Sequence, residues 1–216
     1  MAIPFYKWLL VLCLAVSILL FNKNRATYLK WLVPFFCLEV VAEFASPLGL
    51  FKNQSSNHWF FNLVSIIEFE FYFFLFIHAL KSEFGKKFTR LLIIIFPVLC
   101  CLNFMFIQSF FTFHTITYRV GAILIVFLCF KYFEQLLKST GLINLVSLPM
   151  FWIATGLLFF YTGFFIYMSA FDYIVYKKVS YSEMLWTIIS DTLNAILYLS
   201  FLLSLLCHLQ KKKYYT

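Results

Sequence analysis

The chain has 216 residues, of which 63% are hydrophobic and only 12% are charged, whereas soluble domains carry roughly 25% charged residues. Its mean hydropathy is +0.91. This composition excludes a soluble globular protein, because too few polar residues exist to cover a surface in water. The net charge of +8 comes from basic residues spread over short loops, which indicates membrane orientation and predicts no nucleic-acid partner.

Seven apolar segments follow one another along the chain, each with the roughly 17 to 25 residues needed to cross a bilayer. We therefore expect an all-α, polytopic transmembrane bundle of seven helices that forms a single domain over residues 1–216. The lipid bilayer is its first predicted partner. The predicted helices are 6–22, 28–50, 59–80, 89–109, 117–137, 147–170 and 184–209.

Lysine and arginine residues predict the orientation of this bundle. If the N-terminus lies outside, the inner loops carry 12 of the 17 basic residues and the outer regions carry five. Cytoplasmic loops of membrane proteins carry such an excess of positive charge. The sequence therefore predicts an outer N-terminus and a cytoplasmic C-terminal segment that contains the basic run 211–213.

Five of the nine acidic residues lie inside predicted helices, namely Glu39, Glu43, Glu68, Glu70 and Asp191. A charged side chain near the bilayer centre costs roughly 3 kcal/mol, so such acids are candidates for function. Glu39 and Glu43 are four residues apart and share one face of the second helix. Glu68 and Glu70 are two apart, so they point to nearly opposite sides of the third helix.

The predicted helix directions bring several polar residues to a similar depth in the outer half of the bundle. The expected ligand- or ion-binding site consists of Glu43, Glu68, Asn62, Ser65, Asp191, Asn194 and Arg119. Several acids with few nearby cations favour a proton, a cation or an amine-bearing ligand. The alternative interpretation is a set of interhelical hydrogen bonds that hold the bundle together.

Metal-binding and catalytic spacings are missing from the sequence. The four histidines show no HxxxH or HExxH pattern, and the six cysteines show no CxxC pattern. His58 and His114 are expected in outer loops, and His78 and His208 near inner helix ends. We therefore expect no metal, no cofactor and no catalytic residue.

The sixth predicted helix carries Gly156 and Gly163 seven residues apart, and hence on one face. Small residues at such spacing let neighbouring helices approach closely in membranes. The pattern predicts close helix packing at these two positions.

Three stretches carry a resemblance to a known family: WFFNLVSIIEFEFYFF (59–74), FWIATGLLFFYTGF (151–164) and WTIISDTLNAILYLSFLLSLLC (186–207). They are similar to an uncharacterised family of small seven-helix inner-membrane proteins of Bacteroidota. The resemblance implies a bacterial inner (cytoplasmic) membrane location and a partner such as a sensor kinase or an envelope complex. It implies no activity. The matching family positions would be Glu43, Asn62, Glu68, Trp152, Gly156 and Asn194, while Glu70 and Asp191 depart from the family pattern.

The sequence favours a non-enzymatic inner-membrane protein, a ligand- or ion-responsive bundle that signals to a partner or assembles with one. A proton- or cation-coupled carrier of a small solute would use the same acids. Such a carrier needs a polar path on both sides of them, and the inner half is mostly Phe, Leu and Ile. The third alternative, an intramembrane hydrolase, needs a nucleophile or a metal beside the acids.

Overall fold

The computed structural model describes residues 3–22, 27–52, 56–139, 144–176 and 182–210. Within these ranges the long elements are seven α-helices, which confirms the predicted all-α class. They are α1 (Phe5–Leu20), α2 (Leu32–Ala45), α3 (His58–Ala79), α4 (Glu83–Phe106), α5 (Thr115–Leu137), α6 (Pro149–Tyr176) and α7 (Ser182–Gln210). A single turn, Thr27–Lys30, precedes α2, and a 3-10 turn, Leu145–Ser147, precedes α6.

Five of the helices in the described ranges are long and apolar enough to cross a membrane. They are α3, α4, α5, the part of α6 over Pro149–Ser169 and the part of α7 over Met184–Cys207. The chain is therefore a multi-pass membrane protein with five candidate spans. α1 is also apolar, but its 16 residues make it shorter than these five.

The second predicted segment differs from the structure. In place of one helix over 28–50, a turn ends at Lys30 and α2 begins at Leu32. Pro34 explains the break, because it has no N–H to donate to the carbonyl of Lys30 and its ring crowds that carbonyl. The 14 residues of α2 measure about 21 Å, which falls short of a hydrocarbon core of about 30 Å.

The helices group into two compact units, which are described separately. α1, α6 and α7 belong to the first, and α2 to α5 belong to the second. The expectation of one domain over the whole chain stays a prediction.

In the first unit, α6 packs along α7 at the two predicted glycines. A Cβ atom added to Gly156 would lie 2.6 Å from the Cβ of Ser200, and one added to Gly163 would lie 2.7 Å from Cδ2 of Leu193. No larger residue fits at these distances without movement of the neighbour. The structure thus confirms close packing at both glycines.

α1 completes the first unit by packing on α7. The ring of Tyr6 stacks on that of Tyr198, with 6.4 Å between the centroids. The thiol of buried Cys13 donates a hydrogen bond to the carbonyl of Tyr198, with 3.2 Å between sulfur and oxygen. One residue of α7 therefore receives both contacts.

In the second unit, α3 is the central helix and contacts α2, α4 and α5. Its fully buried Phe69 lies edge-on to Phe96 of α4 and Tyr118 of α5, with centroid distances of 5.0 and 5.3 Å. A Cβ atom added to Gly121 of α5 would lie 2.6 Å from Cζ of Phe69. The Phe69 ring therefore occupies the space that a side chain at position 121 would need.

We predict that Gly121→Ala destabilises the protein by about 1–3 kcal/mol, because a rigid buried ring has to move to admit the methyl group. Unfolding in mild detergent would measure the loss. In a Phe69→Leu background, where the shorter side chain leaves room, the same alanine should cost distinctly less. Equal costs in the two backgrounds would contradict the contact.

Candidate functional site

α3 carries a row of polar side chains along one side. Asn62, Ser65, Glu68 and Tyr72 follow one another at spacings of three and four residues, which places them on one face of a helix. The structure divides this row into two groups with different partners. Asn62 and Ser65 contact the α4–α5 connection, whereas Glu68 and Tyr72 lie with acids of α2.

The first group, which we call the loop anchor, consists of Asn62, Ser65, His114 and Thr117. The Asn62 amide nitrogen donates to the carbonyls of Phe110 and Thr112, each at 2.8 Å. Its amide oxygen accepts from the backbone N–H of His114 at 3.2 Å. Asn62 is 0% exposed, so one side chain satisfies three backbone groups of the loop away from water.

His114, the residue just before α5, lies between two hydroxyl groups. Its Nε2 is 2.6 Å from Oγ of Ser65, and its Nδ1 is 2.7 Å from Oγ1 of Thr117. The Ser65 hydroxyl donates to the carbonyl of Phe61 at 2.8 Å, so it accepts from Nε2–H. Nδ1 is then the acceptor for Thr117, which is the arrangement of a neutral imidazole. Burial agrees with this, because it lowers the pKa of His114 to about 4.

A serine so close to a histidine resembles the nucleophile and base of a hydrolase. Three features of the loop anchor favour a structural role instead. The Ser65 hydroxyl is engaged by its own helix, Ser65 and His114 are both buried, and the amide of Asn62 is held by the loop. The pair therefore fastens the loop to α3.

Gln108 fixes the same loop from its other side. Its Oε1 accepts from Nδ2 of Asn103 at 3.0 Å and from the backbone N–H of Ile116 at 3.2 Å. Its Nε2 donates to Oγ1 of Thr115 at 3.0 Å. The α4–α5 connection is thus tied to the end of α4, the start of α5 and the start of α3.

The second group, which we call the acidic cluster, consists of Glu39, Glu43 and Glu68 with two tyrosines, Tyr72 and Tyr118. Glu39 and Glu43 of α2 lie within electrostatic range of each other, and Glu39 lies within range of Glu68 of α3. The Tyr72 hydroxyl donates to Oε1 of Glu68 at 2.8 Å. Tyr118 of α5 lies within electrostatic range of Glu39 and Glu68. Three helices therefore meet at this cluster.

Glu39 is the most enclosed acid of the cluster. Its side chain is 8% exposed, and its Oε1 has no hydrogen-bond partner among the described residues. Buried carboxyl oxygens are normally satisfied, and an unsatisfied one costs about 1–3 kcal/mol. The Oε1 atom of Glu39 is thus a vacant acceptor that faces other acids.

Glu70 lies apart from this cluster, as its spacing from Glu68 predicts. It is within electrostatic range of Cys100 on α4. Its Oε1 is also buried without a hydrogen-bond partner in the described part of the chain. The two acids of α3 therefore face different neighbours.

The remaining predicted site residues are divided between the two units. Glu43 is half-buried on α2, and Arg119 is half-buried on α5 beside Tyr118. Asp191 and Asn194 lie on α7 in the first unit, where Nδ2 of Asn194 donates to the carbonyl of Ser190 at 2.9 Å. The proposed involvement of these residues in a common site stays a prediction.

Sequence reasoning missed five residues of the two groups, namely Glu39, Tyr72, Tyr118, His114 and Thr117. Glu39 and Tyr72 had a visible signal, since each is four residues from a predicted site acid, Glu43 and Glu68 respectively. His114 was placed in a loop without a role, because its partner Ser65 is 49 residues away along the chain.

Among the residues that the structure describes, no three His, Cys, Asp or Glu side chains are grouped closely enough to hold a metal ion. The fold and the candidate spans define the class as a multi-pass helical membrane protein. Comparison with protein-family models, with curated proteins and with solved structures found no match.

We predict that Asn62→Asp lowers the unfolding free energy by about 2–4 kcal/mol, because two loop carbonyls lose their donor and face a carboxyl group instead. Unfolding in detergent would measure this loss, and hydrogen exchange should rise in the loop 107–114. Asn194→Asp is the matched control, since among the described residues that amide donates to Ser190 of its own helix turn, and we expect a loss below about 1 kcal/mol. Similar losses in both variants would contradict the anchoring role.

We also predict that acid destabilises the protein through His114. The pKa of its imidazole is about 4 in the folded chain against 6.5 without burial, so the unfolded chain binds the proton first. This contribution to stability is complete above pH 6.5 and is lost as the pH falls towards 4, by about 3 kcal/mol in total.

Unfolding measured across this pH range would test the prediction. His114→Gln should flatten the pH dependence, whereas His58→Gln, at an exposed histidine, should leave it unchanged. An acid-induced loss that stays as steep in His114→Gln would assign the effect to another group.

Proposed function

We propose that this chain is a non-enzymatic multi-pass membrane protein whose acidic cluster takes up a proton and passes the resulting change in helix packing to a membrane partner. The observation that carries the proposal is the buried Oε1 of Glu39, which has no hydrogen-bond partner among the described residues. Two further acids, Glu43 and Glu68, act electrostatically on Glu39, which supports uptake of a proton at this atom.

The arrangement of the acids supports proton uptake. Glu43 and Glu68 are the acids in electrostatic range of Glu39, and repulsion among them rises when all three are ionised. Tyr118 lies in electrostatic range of Glu39 and Glu68, and Tyr72 donates a hydrogen bond to Glu68. Both hydroxyl groups can donate a hydrogen bond, and neither carries a positive charge. A proton on Glu39 would relieve the repulsion and turn one vacant acceptor into a donor.

The contacts between α2 and α3 suggest how protonation is passed on. Phe35 of α2 stacks on Phe71 of α3 with 4.2 Å between centroids, and it lies edge-on to Tyr72 at 5.6 Å. Tyr72 therefore touches both the acid Glu68 and the aromatic seam between the helices. A change in the hydrogen bond to Glu68 would move the ring against which α2 packs.

The short helix α2 is the natural moving part. It has 14 residues, its main contact in the unit is with α3, and it is separated from the preceding turn at Trp31. A membrane partner such as a sensor kinase or an envelope complex in a bacterial inner membrane would read the position of α2. The loop anchor, in contrast, has its hydrogen bonds satisfied and would hold the other end of α3 still.

We predict that infrared titration of the protein in nanodiscs shows, besides the exposed acids, one buried carboxyl group that gains a proton on acidification, together with a change in tyrosine signals. Glu39→Gln should remove both changes, and Glu68→Gln should remove the tyrosine change. Glu134→Gln is the matched control, because Glu134 is a surface acid paired with Lys131 and Lys138. A titration unchanged by Glu39→Gln would overturn the proposal.

A carrier built on the same acids remains the second candidate, and the same variants separate it from a sensor. If proteoliposomes of the wild-type chain dissipate a proton gradient and those of Glu68→Gln do not, the acids belong to a transport path. If neither preparation conducts and the titration occurs, the proton acts as a signal.

A further inference from the structure

A cavity of about 410 Å³ opens at the end of the second unit that is opposite the loop anchor. The start of α4, the end of α5 and the short α3–α4 connection surround it. Three lysines and three phenylalanines line it, together with smaller groups. The lysines are Lys81, Lys131 and Lys138, and the phenylalanines are Phe84, Phe88 and Phe127.

The walls of this cavity are held in place by Gln135 of α5. Its Oε1 accepts from the backbone N–H of Lys81 at 2.5 Å, and its Nε2 donates to the carbonyl of Ala79 at 3.3 Å. These bonds fasten the α3–α4 connection to α5. The cavity is therefore formed by fixed backbone as well as by side chains.

The charge in the cavity is positive. Glu134 is its one carboxylate, and it pairs with Lys131 at 2.9 Å and with Lys138 at 2.5 Å. Together with Lys81, the lining carries a net charge of about two units at neutral pH. The side chains of Lys131 and Lys138 are 45% and 74% exposed, so their ammonium groups remain accessible to an anion.

The beginning of α4 forms part of the cavity wall. Ser82 caps this 24-residue helix by accepting from the N–H of Gly85 at 3.4 Å, and both residues line the cavity. The first amides of a helix carry a partial positive charge and bind phosphate groups. The Gly85 amide is already bound by Ser82, and Glu83 lies in the same first turn, so the lysines supply the main attraction for an anion.

The phenylalanines distinguish a lipid from a free anion. Phe88 lies edge-on to Phe127 with 5.7 Å between centroids, and Phe84 stacks on Phe88 at 6.5 Å while remaining 75% exposed. An inorganic anion gains nothing from such a surface. The cavity also lies at the ends of two candidate spans, and the ends of a membrane span are where lipid headgroups meet their acyl chains.

We propose that this cavity binds an anionic phospholipid, with the phosphate at Lys81, Lys131 and Lys138 and the first acyl carbons against Phe84, Phe88 and Phe127. Its volume lies within the roughly 300–1,000 Å³ of small-molecule sites. The basic-residue distribution predicts this end to be cytoplasmic, where basic pockets between helices hold acidic headgroups. The site is independent of the acidic cluster.

Native mass spectrometry of the full chain in detergent would test the site, with phosphatidylglycerol and phosphatidylcholine as competing probes. The wild type should retain phosphatidylglycerol preferentially. Combining Lys81→Gln, Lys131→Gln and Lys138→Gln should weaken that preference by roughly fivefold for each lysine. The control combines Lys86→Gln, Lys87→Gln and Arg90→Gln, which remove the same charge from α4 outside the cavity lining. An equal loss in the control would overturn the site.

Two further variants test the headgroup and the tail separately. Glu134→Gln removes the competing carboxylate, so retention of phosphatidylglycerol should rise, and a fall would contradict the proposal. Phe84→Ser should weaken the binding of phosphatidylglycerol and leave the binding of glycerol phosphate unchanged. If glycerol phosphate competes as well as the lipid at equal concentration, the cavity recognises a phosphate ester alone and the lipid assignment fails.

Discussion

The central constraint on this chain is that polar atoms on a membrane-spanning helix have to find their partners inside the protein, because lipid offers none. α3 carries such atoms along one face, and those of Asn62 and Ser65 determine contacts with the α4–α5 connection. Asn62 binds three backbone groups of the α4–α5 loop and Ser65 binds His114, whereas Glu68 accepts from Tyr72 one turn further along α3 itself. The packing of the second unit around α3 follows from these pairings as much as from its phenylalanines.

The same constraint separates structural polar residues from candidates for function. Every ring nitrogen and amide atom of His114 and Asn62 has a hydrogen-bond partner, and an exchange of partners there could only weaken the fold. Glu39, in contrast, is buried with a vacant oxygen beside other acids. A buried oxygen without a hydrogen-bond partner is a position where binding of a proton or a ligand adds a missing interaction.

The sequence predicted the existence of the helices well where a long apolar segment is sufficient evidence, as for α3, α4 and α5. It was wrong about the second segment, since average hydropathy does not register that Pro34 lacks the N–H needed for continuity. The predicted role for Glu68 rested on local spacing, which a helix makes reliable. Glu39 was left out because its depth was judged from an unbroken span, and His114 because no periodicity reveals contacts between residues far apart in sequence.

The two ends of the second unit differ in a way that bears on how it could respond to a stimulus. At the loop anchor, Asn62 and His114 are uncharged and fully buried, so this end resists rearrangement. At the other end, Lys131 and Lys138 share one carboxylate and remain exposed, and exposed ion pairs contribute little to stability. Under the proposed function, movement that begins at the acidic cluster would meet its greatest resistance at the loop anchor. At the end with the cavity, Gln135 already holds the α3–α4 connection to α5, and a lipid bound to the exposed lysines would add to this hold.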